Sequence, residues 1–156
     1  MPHLHELYDF VVSAFIVHDD KVLLVHHPKY DKWIPMGGHV ELDEDPETAL
    51  FREIKEETGL EVTILSSKPT LETSDTTFIL TPNFVDVHEA TPPHKHIALV
   101  YFALAKNQNH TLSAEHDAIH WLSKADLEDP AYNLAPSIKF YCQQAIAAAH
   151  SQKQKN

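Results

Sequence analysis

The sequence predicts an α/β fold in which a mixed β-sheet lies between two helices, as an α/β/α sandwich. Two segments carry the start and stop signals of helices, and several short apolar runs bounded by turn residues are typical of strands. The chain has 156 residues, of which 43% are hydrophobic, and this is enough for one core. We therefore expect a single domain over residues 1–150 and a disordered tail over residues 151–156.

The strands are predicted in two groups, one before and one after the first helix in the sequence. Before the helix, two strands joined by a short turn precede a shorter third strand, over residues 8–17, 21–26 and 33–36. After the helix, further strands are predicted over residues 62–65, 77–80, 84–88, 96–104 and 119–122. The resulting sheet should be mixed, or antiparallel in large part.

The first predicted helix covers Pro46–Thr58. Asp45 precedes the proline and is typical of an N-cap, and Gly59 is typical of a left-handed C-cap. The second helix is predicted over residues 137–149, directly after a proline and with an alanine-rich end.

Three glutamates are predicted to share one face of the first helix. At about 100° per residue, Glu53, Glu56 and Glu57 fall within an arc of about 100°. Like charges at these spacings destabilise an isolated helix by about 0.2–0.5 kcal/mol per pair, and Arg52 offsets only part of that. A divalent cation would offset the rest, since Mg²⁺ is usually held by one or two carboxylates together with substrate phosphates. By themselves, these glutamates are more typical of a solvated acidic face.

The wider spacing around these glutamates favours a metal site. Residues 38–60 read G-x5-E-x7-R-E-I-K-E-E-T-G-L, and the three glycines and the single arginine of the chain lie in or directly beside this segment. The segment resembles the Nudix box at every fixed position, with Ile54 and Leu60 in the aliphatic positions. The chain is therefore identified by resemblance as a MutT-like member of the Nudix hydrolases, a family whose fold is also an α/β/α sandwich.

The resemblance assigns roles to the matching residues. The implied ligands of Mg²⁺ or Mn²⁺, next to a diphosphate, are Glu53, Glu56 and Glu57. The implied catalytic residues are Glu56, Glu57 and Arg52, with Glu56 or Glu57 as the general base. The implied structural residues of the motif are Gly38, which lets the backbone turn close to the metal, Gly59, which ends the helix, and Glu44, which joins the loop to the helix through Arg52.

Two residues outside the box are candidates for the same site. Glu115 lies in a segment that resembles the part of the family fold where some members supply one more acidic group, and Asp117 is the alternative. An exposed loop position is the competing interpretation of Glu115. His39 follows the glycine pair directly and is a candidate for contact with the substrate.

The histidines and aromatic residues are less informative. His88, His94 and His96 lie close together, but their spacing is not that of a structural zinc site, and a surface or substrate-contacting role is favoured. Three aromatic residues could stack on a base, although core positions are more common for such residues. They are Tyr30, Trp33 and Phe84.

The charge of the chain limits its partners. The net charge of −11 argues against a nucleic-acid-binding surface, which needs clustered lysine and arginine. A small phosphorylated, nucleotide-like substrate would also be repelled, so a metal ion is the natural way to neutralise it. Arg52 is the only arginine, and no second guanidinium is available to bind phosphates in a bidentate way.

A cytoplasmic location is the expectation from the remaining features. Cys142 is the single cysteine and cannot form an internal disulfide, and the N-terminus, with His3 and His5, does not resemble a signal peptide. The longest apolar stretch, residues 97–105, is far shorter than the roughly 20 residues that cross a bilayer. Members of the family often form homodimers, but no feature of this sequence demands one.

The sequence thus predicts a metal-dependent hydrolase that cleaves a diphosphate linkage in a nucleoside diphosphate or triphosphate derivative. A non-catalytic Nudix module that senses a nucleotide is one alternative, and such modules have usually lost motif glutamates that this chain retains. A related diphosphate isomerase is another. It would need a cysteine in its active site, and Cys142, inside the last predicted helix, is poorly placed for that role.

Overall fold

The computed structural model describes residues 6–155, so that His3, His5 and Asn156 lie outside the described part of the chain. This part contains eight strands, β1 to β8, over Tyr8–His18, Lys21–His27, Lys32–Ile34, Met36–His39, Val62–Ile64, Phe84–Glu89, Lys95–Ala105 and Ala118–Leu122. Its two α-helices are α1, Pro46–Thr58, and α2, Pro136–Lys153. Two short 3₁₀ turns precede α2, at Asp126–Glu128 and Pro130–Tyr132.

All eight strands belong to one mixed sheet, as the sequence predicts. The central order is β3-β2-β1-β7-β5, and β4, β6 and β8 pair with β1, β7 and β2, respectively. β1 and β7 are parallel, from Tyr8 opposite Lys95 to Val17 opposite Leu104, and every other pairing is antiparallel. The long central strand β1 therefore has both β7 and β4 as neighbours, and β4 carries the glycine pair.

The two faces of the sheet are covered by one helix each, which gives the predicted α/β/α sandwich. β1 alternates in the direction of its side chains, as a strand does. Phe15 and its neighbours on that face pack against α2 through Cys142 and Ile146, whereas Ile16 lies in the cluster on the α1 face, which includes Leu50. Complete burial of a side chain such as that of Phe15 contributes about 1.5–3 kcal/mol to folding.

One predicted strand is divided into two. The strand expected over residues 33–36 is interrupted at Pro35, and its halves pair with different neighbours, β3 with β2 and β4 with β1. Proline has no backbone N–H to donate to a strand partner, so the chain leaves one ladder there and joins the other. This division brings the glycine pair beside β1.

A second predicted strand, over residues 77–80, is absent. Its backbone is bound by side chains and not by a neighbouring strand, because the Leu80 N–H donates to Glu47 Oε2 (2.9 Å) and the Leu80 carbonyl accepts from Tyr101 Oη (3.0 Å). Glu47 also binds Lys68 Nζ at 2.7 Å. The first turn of α1 therefore fixes this loop.

The helix boundaries differ in how well they were predicted. α1 begins and ends where the sequence places it, because the Asp45 carboxylate accepts from the Thr48 N–H (2.9 Å) and Gly59 adopts a left-handed conformation with φ of 66°. α2 extends to Lys153 and so includes residues 151–153, which the sequence analysis assigned to a tail. Residues 150–153 include no glycine or proline to stop the helix.

A salt bridge between Glu44 and Arg52 holds the loop before α1 against the helix. Arg52 donates from Nε to Glu44 Oε2 (3.0 Å) and from Nη2 to Glu44 Oε1 (2.6 Å), which is the bidentate geometry of a guanidinium and a carboxylate. Glu44 Oε1 also accepts from the Glu41 N–H (3.0 Å). These bonds, with those from Arg52 dominant, lower the pKa of Glu44 to about 2.

Within residues 6–155, no helix is both long enough and apolar enough to cross a membrane.

We expect Glu44→Gln to change the pH dependence of stability. The pKa of Glu44 lies below its ordinary 4.5 in the folded protein, so the ionised carboxylate stabilises the fold above pH 4.5, and this contribution is lost as the pH falls towards 2. The Tm difference between wild type and variant, measured by circular dichroism, should be largest above pH 4.5 and shrink below it. Glu72→Gln, at an exposed loop position, is the control. A Tm difference that stayed constant down to pH 2 would contradict this role.

Candidate active site

The glycine pair of β4 lies directly against α1. Gly37 has a φ of 148°, and a Cβ atom at this position would lie 2.0 Å from the Val12 carbonyl oxygen of β1. Only glycine therefore fits here. At Gly38, a Cβ would lie 2.3 Å from Glu53 Oε1, so the absence of a side chain makes room for this carboxylate.

Glu57 is buried and held from two sides. Its side chain is 6% exposed, and its Oε2 accepts from the Gly37 N–H (2.8 Å) while its Oε1 is 2.6 Å from His116 Nε2. Burial raises the pKa of Glu57, whereas the hydrogen bonds from His116 and Gly37 favour the charged form. The carboxylate is thus fixed in one orientation between α1, β4 and the segment that enters β8.

His116 belongs to the site, although no pattern in the sequence predicts this role for it. It is 3% exposed, and its Nδ1 has no hydrogen-bond partner among the described residues. A carboxylate can only accept, so Nε2 must carry the proton in this contact. The only signal in the sequence was its position between Glu115 and Asp117, which were considered for their charge.

Arg52 connects the remaining glutamates of α1. Its Nη1 donates to Glu53 Oε1 (2.8 Å) and to Glu56 Oε2 (3.2 Å), and its Nη2 donates to the His39 carbonyl (3.2 Å). Together with the bonds to Glu44, these contacts occupy the guanidinium entirely within the protein. Arg52 therefore orients the box carboxylates and the end of β4, and it has little capacity left for a substrate phosphate.

The structure brings Glu57 and Glu115 together, with His116. One ligand atom from each of these three residues lies within 4.8 Å of the others. Glu53 and Glu56 are not part of this group, because they are turned towards Arg52. Glu57 and Glu115 are thus the two carboxylates of the predicted set that share a group with His116.

Asp117, the alternative to Glu115, lies elsewhere. Its Oδ2 is 3.6 Å from His26 Nδ1, and it does not belong to the group around Glu57. Ala114 and Glu115 lie in a turn before β8, so the alternation of a strand does not relate Glu115 to Asp117.

The donor atoms at this site suit a hard divalent cation. Carboxylate oxygens of Glu57 and Glu115 lie close together, and Glu53 and Glu56 lie on the same helix as Glu57. Mg²⁺ and Mn²⁺ prefer oxygen ligands, and Mg²⁺ needs only one or two carboxylates when waters and phosphates complete its shell. A neighbouring histidine that holds one ligating carboxylate by a hydrogen bond is typical of metal sites.

The other candidate residues lie outside this group. The Trp33 ring packs against His120 and Tyr132, with ring centroids 4.6 and 5.2 Å away, and Phe84 packs against Phe102 in the core. Tyr30 is exposed and stacks on the ring of His27.

Cys142 is buried in the core on the α2 side of the sheet. Burial raises the pKa of its thiol to about 12. A thiol in this environment cannot serve as the active-site acid or nucleophile that an isomerase would need.

Comparison with known proteins gives the same family as the box. The NUDIX domain profile matches residues 7–143. The CTP pyrophosphohydrolase of Escherichia coli K12 is 34% identical over 98 residues, which cover 58% of this chain and 73% of that protein. A MutT-like protein of Streptomyces ambofaciens is 26% identical over 133 residues, covering 82% and 70% of the two chains.

The fold comparison agrees with the sequence comparison. The crystal structure of a NUDIX-family hydrolase from Clostridium perfringens superposes with a TM-score of 0.79 and 35% identity, covering 89% of this chain and 96% of that one. The profile match spans β1 to α2 and includes the whole box. The chain belongs to the NUDIX family.

Proposed function

We propose that this protein is a metal-dependent hydrolase, with one domain over residues 1–150, that cleaves a diphosphate linkage in a nucleoside diphosphate or triphosphate derivative. The reaction is attack of water at phosphorus. The observation that carries the proposal is the buried Glu57 carboxylate, held by Gly37 and His116 and close to Glu115, in a box that retains every motif glutamate.

The chemistry of the site requires a cation. The chain has a net charge of −11, and its only guanidinium is occupied by Glu44, Glu53 and Glu56. A bound Mg²⁺ or Mn²⁺ would neutralise phosphate oxygens and lower the pKa of a water molecule. Glu53, Glu56, Glu57 and Glu115 are the residues that would hold it.

We assign different roles to the glutamates of the box. Both oxygens of Glu57 already accept hydrogen bonds, so this residue serves best as a fixed ligand. Glu56 is 60% exposed and is bound only through one Arg52 contact at 3.2 Å, which leaves an oxygen free to accept a proton from the attacking water. Arg52 acts as a positioning residue, because it contacts carboxylates of the protein.

The name of one relative supports a choice of the first substrates to test. The E. coli relative is named a CTP pyrophosphohydrolase, and we propose nucleoside triphosphates as the first substrates to test on this chain. One fold serves many leaving groups, so the choice among them requires a panel. Turnover of none of the panel nucleotides, with tight binding of one, would favour the non-catalytic sensing module. A cytoplasmic location and a homodimer remain predictions.

We expect hydrolysis to depend strictly on a divalent cation. Purified protein treated with chelator should lose turnover on its best substrate from a nucleotide panel, and Mg²⁺ or Mn²⁺ should restore it, because the protein supplies no free guanidinium for the phosphates. The measurement is release of phosphate, pyrophosphate or nucleoside monophosphate. The proposal fails if metal-free protein keeps most of its rate.

We expect Glu56→Gln to lower kcat by about 10²–10⁴-fold, since it removes the proton acceptor and preserves shape. Glu61→Gln is a matched control, because Glu61 follows α1, is exposed and binds Lys106. Its kcat should stay near that of wild type. Steady-state kinetics at saturating Mg²⁺ provides the measurement, and a loss of only a few-fold in Glu56→Gln would favour a solvated acidic face.

We expect His116 to set the affinity for the metal. Without its hydrogen bond, Glu57 loses its orientation, so His116→Ala should raise the Mg²⁺ concentration that gives half-maximal activity by about 10–100-fold. The KM for the nucleotide at saturating Mg²⁺ should change less. His116→Gln retains a donor and should recover part of the metal affinity. If His116→Ala lowered only the Tm, at an unchanged Mg²⁺ requirement, the role of His116 would be limited to packing.

A further inference from the structure

A second cluster of ionisable side chains lies away from the box, across four neighbouring strands. Its central members are Asp9 on β1, His39 on β4 and His96 on β7, and one ligand atom from each lies within 4.8 Å of the others. The register explains this convergence, because His96 is paired with Asp9, and His39 is paired with Val11, which lies two residues from Asp9 on the same face of β1.

The cluster is larger than three residues. His94 Nδ1 lies 3.7 Å from Asp9 Oδ2, and His39 Nε2 lies 4.0 Å from the same oxygen. The His88 ring on β6 packs against the ring of His96, with centroids 5.2 Å apart. The Asp9 carboxylate therefore lies near the imidazoles of both His39 and His94.

The chemistry of these donors is that of a transition-metal site. Two or three imidazole nitrogens and one carboxylate oxygen are a common ligand set for Zn²⁺ and disfavour Mg²⁺, which prefers oxygen alone. The ligand atoms of a tetrahedral zinc, at about 2.1 Å from the ion, lie roughly 3.4 Å apart. His39 is 58% and Asp9 is 45% exposed, so these side chains have room to close the remaining distance.

This cluster is distinct from the proposed catalytic site. It shares no residue with the group of Glu57, Glu115 and His116. His39 lies near both, because its carbonyl accepts from Arg52 while its imidazole faces Asp9 and His96.

We propose that Asp9, His39 and His96, with His94 as the fourth donor, form a binding site for a borderline divalent transition metal such as Zn²⁺. The ion would link β1, β4 and β7 at the end of the sheet. Zinc ligation thus differs from the surface or substrate-contacting role that the spacing of His88, His94 and His96 favours in the sequence.

The test is zinc binding in the presence of excess Mg²⁺, which occupies hard-oxygen sites. Equilibrium dialysis of the full chain, with metal analysis, should give one zinc per chain. His96→Ala should weaken zinc binding by about tenfold or more. Removal of a residue that only hydrogen-bonds to a metal ligand already lowers metal affinity by about this factor, and removal of a ligand itself should lower it further. Asp9→Asn is a second variant, which preserves shape and should also lose the ion. Far-ultraviolet circular dichroism without zinc checks that both variants fold.

His150→Ala is the matched control, because His150 lies near an aspartate elsewhere on the surface, with its Nδ1 3.9 Å from Asp20. It should bind zinc as wild type does. Substitution with Co²⁺ should give the visible absorption of a tetrahedral site, absent in His96→Ala. The proposal would be overturned if the chain bound no zinc in excess Mg²⁺. It would also be overturned if Glu57→Gln lost the zinc while His96→Ala kept it, or if only a His3→Ala/His5→Ala variant lost it.

Discussion

The buried carboxylate of Glu57 is the constraint on which the site depends. A carboxylate removed from water is strongly destabilising unless hydrogen bonds replace its hydration. The Gly37 N–H and His116 supply these bonds, and each comes from a different part of the chain. Because Glu57 cannot be buried without both, α1, β4 and the segment before β8 must assemble together. This requirement also explains why residue 37 is a glycine, since the backbone of β4 has to lie close to both β1 and α1.

The single arginine performs a structural task with consequences for the chemistry. Arg52 binds Glu44, Glu53 and Glu56 and also the carbonyl of His39, so one guanidinium organises the loop, the helix and the end of β4. A lysine has no planar fork and could not hold these partners at once. With its arginine used in this way and a net charge of −11, the protein has no free guanidinium for a phosphorylated substrate, and this supports the proposal of a bound cation.

The parts that were predicted correctly are those encoded within one segment. The ends of α1 follow from Asp45 and Gly59, which act on backbone groups within one turn of the helix. The strands of the sheet were also largely recognisable from their apolar runs. Two errors in the strands have different causes. Pro35 interrupts a predicted strand because it has no N–H of its own, whereas Glu47, 33 residues away in the sequence, binds the backbone of Leu80, so that no strand forms there.

The sequence by itself determined the family and the acidic face of α1, because motif spacing and helical periodicity are properties of the linear chain. Tertiary structure alone decided that His116 holds Glu57, 59 residues away, and that Asp9 lies beside His39 and His96. Such contacts depend on the register between strands and on the path of loops. The position of a residue in the sequence specifies neither the register nor the loop path. The pairing of β1 with β4 and β7 is fixed only when the whole sheet forms.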